Sequence, residues 1–96
     1  MQFEWDDQKN EQNILKHDFD FEDAPEVFSG PILKVLDTRQ DYGENRWVGI
    51  GFLGTQFVVI AFTRRAQIIR IISMRKATQH ERHKFEESFQ NQLGSN

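Results

Sequence analysis

Arginine supplies most of the side chains in this sequence that could do chemistry, and it is concentrated in one segment. Residues 46–76 carry six basic residues and no carboxylate. Such a segment creates a local positive field that attracts phosphates, and a planar guanidinium can donate two parallel hydrogen bonds to one phosphate. The segment therefore predicts contact with nucleic acid, with a solvated basic face as the alternative. The six residues are Arg46, Arg64, Arg65, Arg70, Arg75 and Lys76.

Arg70 is the most unusual of these bases because two isoleucines stand on each side of it. A permanent charge in such a run must end in a cleft or in an ion pair, for which Glu44 or Glu81 is a possible partner. Charges in apolar surroundings often mark functional sites but also serve structure. Arg70 is therefore a candidate site residue, with a structural salt bridge as the alternative.

Arg75 and Lys76 stand just before a predicted helix start, where the helix N-terminus adds positive potential suited to a phosphate. Thr78 and Glu81 have the spacing of a capping box, so the helix should begin near Thr78. Capping alone is enough to explain Glu81, although its carboxylate is also a candidate catalytic group. Arg82 follows on the exposed first turn and could reach RNA.

Three further residues are candidates with open alternatives. Arg64 falls in a predicted tight turn, where it could contact RNA or only aid solubility. Arg46 could face a phosphate or the neighbouring Glu44. His17 has a side chain that titrates near neutrality, but its place at the end of a predicted helix also suits a cation that interacts with the helix dipole.

Composition limits the remaining kinds of site. The sequence has no cysteine, which rules out disulfides, thiolate zinc sites and a thiol nucleophile. His80 and His83 have a spacing that can hold a metal, but two ligands alone make a weak site, so we expect no metal and no cofactor. Trp5 and Trp47 are expected in the core rather than stacked on bases.

The chain has 96 residues, which suits a single domain over residues 1–96. Its charge is distributed unevenly along the chain, because residues 1–45 contain twelve acidic and only four basic residues. It has no run of 18 apolar residues that could span a bilayer, so we expect a cytoplasmic protein without a membrane partner.

Local patterns predict an α+β fold that must position these side chains. Asp6 stands where a helix N-cap would be, and Gly54-Thr55 suits a two-residue hairpin turn. A second turn is expected around residues 64–66, which makes an antiparallel meander of the last three strands. The prediction is an antiparallel sheet of about four strands, two N-terminal helices, one C-terminal helix and a frayed tail over residues 90–96. The predicted strands are 2–5, 32–36, 46–53, 56–62 and 67–73, and the predicted helices are 7–17, 21–28 and one beginning near residue 78.

Three groups of residues, in order over residues 3–85, together resemble a known family. The first is Phe3-Glu4-Trp5-Asp6 with Lys9, Asn13, Lys16-His17, Phe21, Ala24 and Phe28; the second is Tyr42-Gly43-Glu44 with Arg46 and Gly51; the third is Arg70-Ile71-Ile72-Ser73, Arg75-Lys76-Ala77 and Glu81-Arg82. Their succession resembles the BrnT toxin family, whose members pair with a BrnA antitoxin. The chain departs from the family at Asp18, where glycine is usual, and at Phe85, where tyrosine is frequent. A phenylalanine cannot exchange a proton.

The resemblance implies a RelE-like fold and a ribonuclease activity that halts translation. It also implies a partner antitoxin with a ribbon-helix-helix DNA-binding part, and binding of promoter DNA by the toxin and antitoxin together. RNA cleavage without a metal uses the ribose 2′-hydroxyl as nucleophile, so the protein must orient the phosphate, move protons and stabilise the phosphorane. The candidate catalytic residues are Arg64, Arg70, Arg75, Glu81 and Arg82, and the candidate RNA-binding residues are Arg46, Lys76 and His17.

Two alternatives to an endoribonuclease stay open from the sequence. A module that binds nucleic acid without cleaving it could use the same basic surface. A chain that has lost activity could retain that face only to receive an acidic segment of the antitoxin. In each case we expect the antitoxin to cover the basic surface, because masking it blocks access to RNA.

Overall fold

The computed structural model describes residues 1–41 and 43–94, in which five strands form one mixed sheet. In chain order the elements are β1 (Gln2–Glu4), α1 (Asp7–His17), a 3-10 turn (Phe21–Asp23), α2 (Ala24–Ser29), β2 (Ile32–Asp37), β3 (Arg46–Leu53), β4 (Gln56–Arg65), β5 (Ile68–Lys76) and α3 (Gln79–Gly94). The strands lie in the order β1-β5-β4-β3-β2. β1 runs parallel to β5, and the other neighbouring strands are antiparallel.

The α+β class and the β3-β4-β5 meander are confirmed, and β1 lies within the strand predicted at 2–5. The sheet contains all five predicted strands instead of about four, and it is not wholly antiparallel. β1 is the fifth strand, and it pairs in parallel with β5 through Gln2 to Glu4. A three-residue strand carries no local signal for the direction of its pairing, because its partner lies more than sixty residues away. The sheet therefore gains an edge strand that alternation alone could not orient.

The second hairpin turn lies later in the chain than predicted. β4 continues to Arg65, which pairs with Ile68, and the chain reverses at Ala66, whose φ is +54°. Alanine rarely adopts this left-handed conformation, and the observed turn overlaps the predicted range 64–66 only at Ala66. Arg64 and Arg65 are consequently strand residues rather than residues of a turn. The first turn is as predicted, with Gly54 at φ +63°.

α1 has the predicted bounds, and both of its ends are capped by aspartate. The side chain of Asp6 accepts hydrogen bonds from the backbone N–H groups of Gln8 and Lys9. Asp18 ends the helix in the left-handed region, at φ +63°. Glycine adopts that conformation without cost, and aspartate tolerates it better than most residues do. This explains why aspartate can replace the glycine that is usual at this position.

The core lies between one face of the sheet and the segment that contains α1 and α2. Cross-strand partners point to the same side of a sheet, so the register assigns each strand residue to one of two faces. We call the buried side the core face and the opposite side the open face. Trp5 and Trp47 pack against the core, as expected. The core residues are Phe19, Phe21, Ala24, Val27, Val58, Ile60, Phe62, Ile69, Ile71 and Met74.

Asn13 joins α1 to the edge of the sheet beyond the end of β1. Its side-chain Nδ2 donates to the carbonyl oxygens of Phe19 and Met74, each at 2.9 Å. Its Oδ1 accepts from the backbone N–H of Met74 at 3.2 Å. Because β1 pairs only with residues 68–70 of β5, the buried Asn13 amide continues the ladder where that strand stops.

Several expectations concern residues near the chain ends. The predicted tail over residues 90–96 overlaps α3, which extends to Gly94. Residues 95–96 of that tail, and Tyr42 of the second family motif, lie outside the described residues. Within the described ranges, no helix has the length and apolar character needed to cross a membrane.

Candidate active site

Most of the predicted site residues that belong to β3 and β5 have side chains on the open face. Arg70 and Arg75 are five positions apart, and on a regular strand they would point to opposite sides. A bulge resets the alternation, since Phe62 pairs with Ile71 but the preceding Ala61 pairs with Ser73. Both arginines therefore lie on the open face. This bulge leaves no clear mark in the sequence.

One row of polar side chains crosses all five strands on the open face. The register pairs Asp37 with Arg46, Arg46 with Thr63, Thr63 with Arg70 and, through parallel β1, Glu4 with Arg70. Neighbouring strands are separated by about 4.8 Å, so the Cα atoms of Arg46 and Arg70 lie about 10 Å apart. Arg46 and Arg70 are therefore the neighbours of Thr63 on the two adjacent strands.

Thr63 is the central residue of this row and has an unusual environment. It is only 3% exposed, and its Oγ1 has no hydrogen-bond partner within the described residues. A buried hydroxyl without a partner costs free energy, and such groups in folded proteins call for an explanation. Less than 1 Å² of that oxygen is accessible, so a ligand could contact the hydroxyl only if the side chains around it moved.

Arg70 pairs with Glu4 and not with either carboxylate proposed from the sequence. The contact joins one guanidinium nitrogen, Nη1, to one carboxylate oxygen, Oε2, at 2.5 Å. Both side chains are partly accessible, with 38% of Arg70 and 42% of Glu4 exposed. The pair therefore lies at the surface of the open face, where a substrate can reach it.

Arg75 is held more completely, by Glu81 at the start of α3. Nη1 and Nη2 of Arg75 each donate to one oxygen of Glu81 at 2.8 Å. Glu81 also accepts from the backbone N–H of Thr78, and the Thr78 hydroxyl accepts from the N–H of Glu81. This confirms the predicted capping box and makes Arg75 a clamp between β5 and α3.

The Arg75 clamp makes Glu81 a poor proton acceptor. The hydrogen bonds from Arg75, assisted by the Thr78 N–H, lower the pKa of Glu81 to about 2. A carboxylate with so low a pKa stays ionised and holds a proton weakly at neutral pH. The geometry therefore favours a positioning role for Glu81 over the acid-base role considered from the sequence.

The lowered pKa of Glu81 predicts a pH-dependent contribution to stability. The carboxylate stabilises the fold above its ordinary pKa of 4.5, and that contribution is lost as the pH falls through the folded value of about 2. Glu81→Gln should therefore lower the free energy of unfolding at pH 7, and its difference from the wild type should narrow between pH 4.5 and 2. Urea unfolding at a series of pH values measures this. Glu87→Gln, on the exposed side of the same helix, is the matched control, and a difference that is constant with pH would contradict the assignment.

Arg82 and Phe85 attach α3 to one end of the open face. Phe85 is buried and packs edge-on against Phe52 and Phe57, with ring centroids 5.4 and 5.6 Å away. The guanidinium of Arg82 lies over the Phe57 ring, 4.6 Å from its centroid. Phe85 is thus a packing residue, which suits the absence of a hydroxyl there.

Three predicted site residues are not brought to the open face. Arg64 pairs with the core residue Ile69, so its side chain leaves β4 on the core-face side. Lys76 pairs with the core residue Val58 and lines a groove with His17 near the end of α1. The structure therefore divides the predicted residues into an open-face group, with Arg46, Arg70, Arg75, Glu81 and Arg82, and residues on the other side of the sheet.

Sequence reasoning missed the acidic partners on the open face. Glu4 was not singled out as a site residue, and neither was Arg65, although Arg65 lies on the open face. Arg65 donates two hydrogen bonds to Glu44, at 3.0 and 3.1 Å, and these lower the pKa of Glu44. A signal for Glu4 was present, because it belongs to the first group of family residues.

Comparison with known protein families gives one match, over residues 5–81, to the family described as the ribonuclease toxin, BrnT, of type II toxin-antitoxin systems. The chain belongs to this family. No curated protein matches it. Membership in the BrnT family identifies a toxin of the ribonuclease type and implies an antitoxin partner. The matched range includes all of β2 to β5 and the residues of the row that these strands carry, whereas Glu4 lies just before it.

Proposed function

We propose that this BrnT toxin is a metal-independent endoribonuclease that cleaves RNA on the open face and thereby inhibits translation. The observation that carries the proposal is the row in which Arg46 and Arg70 flank the buried Thr63. Cleavage by the ribose 2′-hydroxyl develops negative charge on a phosphorane, which positioned guanidinium groups stabilise. Arg46 and Arg70 come from strands fixed on both sides by hydrogen bonding, so their backbones are held rigidly.

Arg70 is the arginine best suited to the scissile phosphate. Its contact with Glu4 occupies one nitrogen, whereas Arg75 commits two nitrogens to Glu81. A guanidinium has five N–H donors, so Arg70 can bind Glu4 and a phosphate together. Arg75 and Arg82, at the α3 end of the open face, would extend the binding surface along the RNA.

The partner in this proposal is a BrnA-like antitoxin with a ribbon-helix-helix DNA-binding part. Coverage of the open face by the antitoxin would exclude RNA from the arginines. Promoter DNA would be bound only through the complex. A complex in which Arg46 and Arg70 are left fully open would contradict this arrangement.

The test of the proposed function is cleavage by the purified chain in the presence of EDTA. A single-stranded RNA should be converted to fragments with 2′,3′-cyclic phosphate and 5′-hydroxyl ends, and a cell-free translation reaction should stop. The same oligonucleotide made with 2′-deoxyribose throughout should bind and stay intact, because it lacks the nucleophile. Binding of RNA without fragments would show a non-catalytic module, and cleavage only with added metal would contradict the mechanism.

A further inference from the structure

We propose that Glu4 is the general base of the reaction and accepts the proton of the 2′-hydroxyl. This inference rests on the proposed function of the open face. Glu4 is the carboxylate at the β1 end of the row, directly beside the arginine assigned to the scissile phosphate. The nucleophilic hydroxyl is on the ribose next to that phosphate, so a base must lie beside the phosphate-binding group.

Three other carboxylates near the open face are each bound to an arginine. Glu81 has both oxygens on Arg75 and one also on Thr78. Glu44 has both oxygens on Arg65. Asp37 has a side chain only 2% exposed, and both of its oxygens accept from Arg39. Each is therefore held in a closed pair.

Glu4 differs from these carboxylates in geometry and in access. Its contact with Arg70 uses Oε2 and a single guanidinium nitrogen, so Oε1 is available to a substrate hydroxyl. Nearly half of the side chain is exposed. A general base must come within hydrogen-bond reach of the proton that it removes, and Glu4 can do so without breaking its contact with Arg70.

The charged groups that face Glu4 are cationic. Arg70 lies beside it on β5, and Arg65 at the end of β4 is close enough for the Glu4 charge to help raise the pKa of Arg65. These cations attract the phosphate groups of a bound RNA. They also place the base where a bound phosphate would bring the ribose.

The proposed reaction is a transesterification in which the RNA supplies both the nucleophile and the leaving group. The Glu4 carboxylate takes the proton of the 2′-hydroxyl as the 2′-oxygen forms a bond to phosphorus. The bond from phosphorus to the 5′-oxygen breaks, and that oxygen takes a proton from water. The products are a 2′,3′-cyclic phosphate and a 5′-hydroxyl, and Glu4 then returns its proton to solvent.

The test compares Glu4→Gln with the wild type in single-turnover cleavage and in binding of the 2′-deoxy oligonucleotide. Glutamine can still accept a hydrogen bond from Arg70, so binding should stay within a few fold or become tighter. The cleavage rate should fall by about 100-fold or more, as expected for loss of a general base. The acidic limb of the wild-type pH-rate profile should disappear, and Glu4→Asp should restore part of the rate and of that limb. Glu44→Gln, which alters the equivalent pair at Arg65, is the matched control and should cleave at nearly the wild-type rate.

Two outcomes would overturn the assignment of Glu4. Cleavage by Glu4→Gln with an unchanged pH profile would show that another group takes the proton. Weaker binding of the 2′-deoxy oligonucleotide, with an unchanged pH profile, would show that Glu4 only positions Arg70. Failure of the wild type to cleave any RNA would instead refute the proposed function, so the two failures are distinguishable.

Discussion

Arg70→Ala is expected to lower the rate of RNA cleavage by about 100-fold or more, because removal of one preorganised donor to a developing oxyanion typically has an effect of this size. The variant removes the guanidinium that lies between Thr63 and Glu4 in the row. It should still fold, since the side chain is partly exposed and makes one ion pair. Single-turnover cleavage of a defined RNA, with thermal unfolding recorded in parallel, measures both effects.

Arg64→Ala is the matched control for this prediction. The residue has the same charge and is exposed, but its side chain leaves β4 on the core-face side, where it pairs with Ile69. We expect this variant to cleave RNA at close to the wild-type rate. Equal losses in the two variants would show that general positive charge, and not the row on the open face, drives the reaction. A loss confined to Arg64→Ala would move the site to the opposite face.

The basic character of the site could be predicted from the sequence, but the ion pairs that partly neutralise its arginines could not. Residues 46–76 carry only positive formal charge, which suggested a strong local field. In the folded protein, acidic residues from the N-terminal half form ion pairs with this segment: Glu4 pairs with Arg70, and Glu44 pairs with Arg65. These pairs depend on contacts between distant positions. A phosphate must therefore compete with carboxylates that are already in place.

Local signals predicted the elements well where the chemistry is local. The caps at Asp6 and Thr78 and the turn at Gly54 depend on residues within a few positions of one another. The parallel pairing of β1 and the bulge in β5 depend on the assembled sheet. These two non-local features bring Glu4, Arg70 and Arg75 to one face. The positive charge of the site was therefore easier to predict than the set of residues that forms it.

Asn13→Ala is expected to lower the free energy of unfolding by about 2–4 kcal/mol, because buried polar groups left without partners cost about 1–3 kcal/mol each. The substitution removes the three hydrogen bonds that Asn13 makes to the backbone of Phe19 and Met74. Met74 is fully buried and Asn13 is nearly so, so solvent has little access to the backbone groups that would lose their partners. Urea unfolding at neutral pH measures the change, with the exposed neighbour Gln12→Ala as the control that should stay near the wild type.

Asn13→Asp separates the hydrogen bonds from the packing. It keeps the size of the side chain and an acceptor for the Met74 N–H, but it replaces the donor that faces the carbonyl oxygens of Phe19 and Met74. An ionised carboxylate beside two carbonyl oxygens is unfavourable, so its pKa should be raised. The variant should therefore be strongly destabilised at neutral pH and should regain stability in acid, where the protonated carboxyl can donate one hydrogen bond. Equal stability of Asn13→Asp and the wild type at pH 7 would show that the amide does not continue the β5 ladder. In that case, apolar packing alone would hold α1 against the strand that carries Arg70.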